Sequence, residues 1–220
     1  MPSIKSYKDM TVEVLAATPY PQTIVGLAQG LTMGSTDVNA ITSKQARFLV
    51  DAEHTSLFEH VVYTFLIQGM SRSLLAQITR QRTASPTSGS QHYQDYSSYP
   101  CVVHEELIEN EHMQHALAQG YHGYASMLLN DIAREEARQC LPNAAAVNYL
   151  WTIDARNLFF FLRQRLCNRN VTEMRVLAFK VLSLAQDHFP ELFLLAGPQC
   201  FREKCKQGFL QCEEKTWVNP

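Results

Sequence analysis

Two short runs rich in β-branched and aromatic residues, 57–68 and 144–153, stand among segments of helical pattern, and they limit the fold more than any other feature. They do not alternate with helices in a βαβ rhythm, so a doubly wound parallel sheet is not expected. The pattern favours an α+β fold, with a small antiparallel or mixed sheet packed with several helices. Residues 39–53 read as an amphipathic helix with Ile41, Ala46, Phe48 and Leu49 on one side. Residues 71–80 read as a helix capped by Ser71. The stretch 105–139 has a helical pattern with a break near Gly120 or Gly123, and Pro142 ends it. Two more helices are expected at 154–167 and 171–187, divided by the polar turn Asn168–Asn170. No internal repeat or low-complexity linker interrupts the 220 residues, which read as a single domain, 1–220, able to bury its own core.

Charge narrows the function classes. Nineteen Lys and Arg against 21 Asp and Glu leave a net charge of −2, which argues against a protein held to nucleic acid by bulk charge. Charged residues make up only 18% of the chain, which suggests surface covered by sister subunits. No apolar run reaches the ~18 residues of a membrane span, and the first ten residues have no apolar core of the kind a secretory signal carries. A cytoplasmic, oligomeric protein with no nucleic-acid or membrane partner is expected. The six cysteines then read as reduced thiols. Cys200, Cys205 and Cys212 cluster near the C-terminus, with Cys101, Cys140 and Cys167 scattered; no CxxC pair is present, and no metal site is assigned. Nucleophile-elbow, P-loop and dinucleotide-fold glycine motifs are absent too.

The modest arginine supply is clustered. Arg80 and Arg82 introduce a Ser/Gly-rich stretch, 83–100, that has no helical or strand period and reads as a loop. Guanidinium forks beside loop N–H groups suit phosphate oxygens, although a solvated surface loop has the same composition. Gln77 and Arg80 share a helix face and suit a nucleotide's polar edge, or simply solvent. His54, Ser56, Glu59 and His60 precede the first strand without metal-ligand spacing, leaving ring or sugar anchoring and a structural role both open. Arg156, Arg163 and Arg165 crowd a segment whose Phe159, Phe160, Phe161 and Leu162 must be largely buried, which fits either a pocket wall or a snorkelling rim.

Arg80-Gln81-Arg82, followed after seven residues by Ser90, resembles the Arg-His-Arg…Ser signature of flavin-dependent thymidylate synthases. Other pieces occur in the family's order. His54 to His60 resembles its His-x-Ser/Thr-x-x-Glu-His element, Ser71-Arg72 with Gln77 resembles its lead-in helix, and Arg138 to Pro142 resembles its Arg-x-x-Leu-Pro. Asp154-Ala155-Arg156-Asn157-Leu158 is similar to its Asn-Ala-Arg-x-Leu helix start, so the matches span about residues 54–175. The resemblance implies a homotetramer of α+β subunits with the family's fold, with sites at subunit interfaces. It implies FAD, NADPH as reductant, methylenetetrahydrofolate as carbon donor, and methylation at C5 of a uridine 5′-monophosphate nucleotide, dUMP or UMP, without a cysteine nucleophile. On the same basis His54, Ser56, Glu59, Arg80, Gln81, Arg82, Asp154 and Arg156 are assigned to the cofactor. Gln77, Arg80, Ser88, Gly89, Ser90, Gln91, His92, Arg138 and Arg165 are assigned to the nucleotide, with Arg165 and Ser90 catalytic.

Four positions depart from the family pattern. Gln81 replaces a histidine, His92 an arginine and Asp154 an asparagine, and Ser88 stands where an acidic or amide side chain often approaches the deoxyribose. The short Ser88 leaves room for a 2′-hydroxyl, which predicts tolerance of UMP. A non-catalytic flavin- or nucleotide-binding relative is the second reading, and an all-helical interaction protein the third.

Overall fold

A computed structural model describes residues 2–212. In chain order these form β1 (Ile4–Ser6), β2 (Thr11–Ala17), α1 (Pro21–Thr32), α2 (Ser43–Asp51), β3 (Val62–Ser71) and α3 (Arg72–Ile78). There follow β4 (Ala84–Ser88), β5 (Cys101–Val103), α4 (Glu111–Leu129), α5 (Arg134–Ala137), β6 (Ala146–Asp154), α6 (Ala155–Arg165), α7 (Thr172–His188) and α8 (Pro190–Phe193). The strands make a four-stranded sheet in the order β2-β3-β6-β4 and a separate parallel pair, β1 with β5. Bonds at strand ends fix the directions in the larger sheet. Thr18 N donates to Val62 O, Arg72 N to Ala145 O and Gly89 N to Asn148 O, so each neighbouring pair runs antiparallel. The α+β expectation with a small sheet therefore holds.

The chain groups into two compact units. Unit 1 holds Leu66–Arg82, Pro86–Leu150 and the chain up to Thr11. Its core joins Tyr96, Cys101, Val103, Leu117, Tyr121, Tyr124, Ala137 and Ala145. Unit 2 holds Val12–Phe65, Thr83–Ser85 and the chain from Trp151 onward. Its core is aromatic: Trp151 lies 5.9 Å from Phe65 and 4.9 Å from Phe161, and Tyr63 stacks on Phe65 at 5.6 Å between ring centroids.

Several boundaries differ from the sequence expectation. The first strand begins at Val62, because Thr55–His60 coil into a 3-10 turn that buries Phe58 and leaves Glu59 and His60 exposed. Tyr63, Phe65 and Ile67 then alternate inward along β3. Within the stretch read as a loop, Ala84–Ser88 pair with β6 as the sheet's outer strand. An edge position tolerates Pro86 and demands no inward alternation, so these residues carry no strand pattern. Helix α4 runs unbroken through Gly120 and Gly123. A Cβ at Gly120 would lie 2.9 Å from the Cys140 carbonyl oxygen, so that glycine admits the 138–142 turn instead of ending the helix. Helix α2 starts from a Thr42–Gln45 capping box, and Phe48 faces solvent while Val50 is buried in its place. Ser71 caps α3 by accepting from Leu74 N, as expected.

Candidate functional site

The candidate residues fall into two groups, one in each unit. In unit 1, Gln77 is half-buried on α3, and the backbone turns off the helix so that Arg80 and Arg82 are exposed and Gln81 half-buried. Beyond β4 the chain makes a tight turn. Gly89 N donates to Asn148 O at 3.1 Å, and Ser90 O accepts from Gln94 N at 3.0 Å. The Ser90 hydroxyl accepts from His92 N at 3.2 Å, which orients its oxygen and leaves its hydrogen for a ligand. Ser88 and His92 are exposed, Gly89 and Ser90 half-buried, and Gln91 buried. A Cβ at Gly89 would meet Gln94 Oε1 at 3.0 Å and Tyr96 Oη at 3.4 Å, so only glycine fits this corner easily. Beside it, the fully buried Tyr96 hydroxyl has no hydrogen-bond partner among the described residues. Burial pushes its pKa up and keeps it a neutral donor.

Glu135 joins two of the predicted residues. Its carboxylate takes His92 Nδ1 at 2.7 Å, and its carbonyl oxygen accepts from Arg138 Nε at 3.0 Å. Arg134 reaches the Tyr93 carbonyl at 3.5 Å. Residues 134 and 135 thus touch His92 and Tyr93, while Arg138 bonds back to the same turn. The sequence offers no periodicity that pairs Glu135 with His92.

In unit 2, Arg156 leaves the first turn of α6 and donates from Nε to the Thr55 hydroxyl at 3.1 Å and from Nη1 to Glu59. Its guanidinium carbon stands 5.9 Å from the Phe160 ring centre. Glu59 and Arg156, both assigned to the cofactor, are therefore paired with each other, while Thr55, unassigned from sequence, is the buried partner that fixes the guanidinium. His54 and Ser56 are exposed on the same 3-10 turn. Asp154 caps α6. Its Oδ1 accepts from Asn157 N at 2.9 Å and its Oδ2 from Asn157 Nδ2 at 2.6 Å, so its charge serves the helix N-terminus and Arg156 pairs elsewhere.

A cleft of about 420 Å³ is lined by Thr55, Arg156, Phe159, Phe160, Arg163 and Arg202, among others. Arg163 pairs with Glu203 and Arg202 with Asp51. Asp51, Glu53 and Glu203 line it as well, so its three guanidiniums face carboxylates that an anionic ligand would have to displace, and the half-buried Phe160 supplies aromatic surface. Arg165 ends α6, half-buried, with Nη1 3.4 Å from Asn170 Oδ1. Asn170 in turn donates to the Gln164 and Cys167 carbonyls, which stiffens the turn that presents this arginine. Arg80, Gln81 and Arg82, assigned with Arg156 to one cofactor, belong to unit 1.

Of the thiols, Cys101 is buried and burial pushes its pKa up, while Cys140 packs against Gly123. No helix among the described residues is long and apolar enough to cross a membrane.

The sequence pattern of the family described as thymidylate synthase complementing protein matches residues 6–191. A flavin-dependent thymidylate synthase of Geobacter sulfurreducens is 31% identical, the match covering 95% of this chain and 96% of that one. Another, from Nitratidesulfovibrio vulgaris, is 32% identical over 90% and 91% of the two chains. Among solved structures, a UMP/dUMP methylase from Streptomyces cacaoi bound with 5-Br dUMP shares the fold. It has a TM-score of 0.75 at 21% identity, covering 87% of this chain and 95% of that chain.

Proposed function

Because the chain belongs to the flavin-dependent thymidylate synthase family, we propose that it methylates C5 of a uridine 5′-monophosphate nucleotide. Methylenetetrahydrofolate is the carbon donor and NADPH the reductant. The observation that carries this reading is the turn in unit 1 where the Ser90 hydroxyl accepts from His92 N and the His92 ring pairs with Glu135, three residues before Arg138. The Ser90 hydroxyl hydrogen and the Arg138 guanidinium are donors of the kind a phosphate monoester takes. The unpartnered Tyr96 hydroxyl supports a polar ligand group there.

The arginine cleft in unit 2 supports FAD there, with guanidiniums for a diphosphate once they leave Asp51 and Glu203, and Phe160 for a flat heterocycle. Arg156, braced by Thr55 and Glu59, would hold it, with Arg163 and Arg202 as further cations. When bound, FAD supplies the hydride chemistry. His54, Ser56, Arg80, Gln81, Arg82 and Asp154 complete the proposed set around it.

Arg165 is the proposed electrostatic catalyst. Its guanidinium, held by Asn170, would meet the uracil carbonyl and N3 edge and stabilise negative charge as C5 becomes nucleophilic. Ser90 would orient the phosphate end, and Gln77 the pyrimidine. Burial pushes the Cys101 thiol of unit 1 up, away from a poised thiolate, which supports a mechanism without a cysteine nucleophile. We read residues 1–220 as one catalytic domain, acting as a homotetramer in which each ligand draws on more than one subunit. Large apolar side chains exposed in the single chain, such as Tyr20, Met33 and Phe48, support burial between subunits.

Exposed Ser88 supports a sugar pocket without a side chain that rejects a 2′-hydroxyl. The test is turnover of dUMP and UMP side by side, with folate donor and NADPH present. Methylated product from both is expected. Brisk dUMP turnover with none of UMP would remove the sugar reading, and product from neither would remove the enzymatic one.

A further inference from the structure

One half-buried arginine of unit 1 has no role in the reaction as proposed so far. Arg72 opens α3, and among the described residues its guanidinium has no hydrogen bond and no carboxylate within ion-pair distance. The arginines of the unit 2 cleft differ: Arg156, Arg163 and Arg202 are paired with Glu59, Glu203 and Asp51. We propose that Arg72 binds the 5′-phosphate of the nucleotide and supplies the Gly89–Ser90 turn with an uncompensated cation, an inference that rests on the nucleotide reading above.

Strand β6 brings the two segments together, since β3 and β4 flank it in the sheet. Where β3 ends, Arg72 N donates to Ala145 O and Ser73 N to Asn143 O, both at 3.0 Å. Where β4 ends, Gly89 N donates to Asn148 O at 3.1 Å. Both segments therefore dock near the start of the same strand, one on each flank. Tyr96 links them. Its hydroxyl oxygen would lie 3.4 Å from a Cβ at Gly89. Burial pushes its phenol up and the Arg72 charge pulls against that shift, so the guanidinium stands within electrostatic reach of the hydroxyl. The phenol itself is fixed: its ring stacks on Tyr99 at 4.3 Å between centroids, and its backbone N–H donates to the Tyr124 hydroxyl at 3.2 Å.

The phenol stays neutral, so it gives Arg72 no countercharge. A half-buried guanidinium has lost part of its hydration and gains most from an anion that replaces it. The other groups of the turn leave that role open. The His92 ring is taken by Glu135 at 2.7 Å, and Ser90 brings a neutral hydroxyl. A phosphate monoester carries close to two negative charges near neutral pH, enough to engage Arg72 and Arg138 together. The planar fork of Arg72 matches two of its oxygens.

The experiment measures dUMP binding to the full-length, FAD-loaded protein by calorimetry. Arg72→Gln should weaken dUMP about 10–100-fold. Arg72→Lys, which keeps the charge without the fork, should weaken it by a smaller factor. Both variants should melt close to the wild-type temperature, because the side chain has no bonded partner to lose. A second measurement needs no variant. Phenylglyoxal labels the arginines of the wild-type chain, and the labelled sites are mapped by peptide mass. Bound dUMP should protect Arg72, whereas deoxyuridine at the same concentration, which has no phosphate, should not. Undiminished dUMP binding by Arg72→Gln, unchanged labelling of Arg72 under bound dUMP, or equal protection by deoxyuridine would overturn the inference and leave the functional reading standing. A wild-type protein that binds no dUMP would overturn both.

Discussion

Two candidate arginines of unit 2 stand on a packed helix, while Ser88 to His92 and Arg138 of unit 1 stand on turns. Arg156 and Arg165 begin and end one helix, α6, whose Leu158, Phe159, Phe161 and Leu162 are buried. That packing leaves the two guanidiniums little freedom. Ser88 to His92 and Arg138 instead lie on short turns, joined through the half-exposed Glu135. The difference teaches where each unit holds its positional precision. Unit 2 presents fixed charges from a packed frame, and unit 1 presents backbone amides and one arginine on a surface that a ligand can still adjust.

The sharpest way to break that comparison is Arg165→Ala. Loss of one preorganised donor at developing charge should lower turnover about 10²–10³-fold with little change in stability, measured by product formation at saturating nucleotide. Loss below threefold would remove Arg165 from the catalytic account. Next comes Arg156→Ala, which should weaken flavin retention about 10–100-fold, read from flavin absorbance after gel filtration. Thr55→Val removes only the buried brace and should cost about 1 kcal/mol, several-fold in flavin affinity. In unit 1, Glu135→Gln should raise the nucleotide KM a few-fold and leave kcat nearly unchanged, since the turn that carries Arg138 remains bonded through a backbone carbonyl. A larger effect for Glu135→Gln than for Thr55→Val would reverse the assignment of rigidity.

The smallest effect separates the two cores by pH. Burial holds the His188 ring below its ordinary value, and Tyr63 Oη lies 3.0 Å from its Nδ1. The unfolded chain therefore binds a proton that the folded chain resists, so stability should fall as pH drops through about 6.5. His188→Gln should flatten that slope in denaturant titrations. Burial pushes Tyr96, Cys101 and Tyr121 in the core of unit 1 the other way, so they stay neutral over this range. They weaken folding only as pH rises toward ordinary thiol and phenol values.

Long periodic segments were legible in the sequence, and short or edge elements were not. The helices at α3, α6 and α7 and the buried strands carry strong apolar patterns. Strand β4 carries none, because it is an edge with four of its five residues exposed. Helix α1 was missed since Gly26 and Gly30 dilute its helical signal, and β1 has only three residues. At the candidate sites, motif order found Arg156 and Glu59, which the fold joins. Spacing could not reveal Thr55 or Glu135, because each contact depends on tertiary placement of residues far apart in the chain. Asp154 was read against a ligand, but its nearest task is local, as the cap of α6.

The central claim is that this chain couples a bound flavin to nucleotide methylation. The direct measurement is NADPH oxidation by purified, flavin-loaded protein, with methylenetetrahydrofolate present and dUMP added or withheld, followed by analysis of the nucleotide. The account predicts a yellow protein that forms 5-methylated nucleotide only when dUMP is present. A protein that binds flavin and nucleotide yet leaves the nucleotide unmethylated would contradict it.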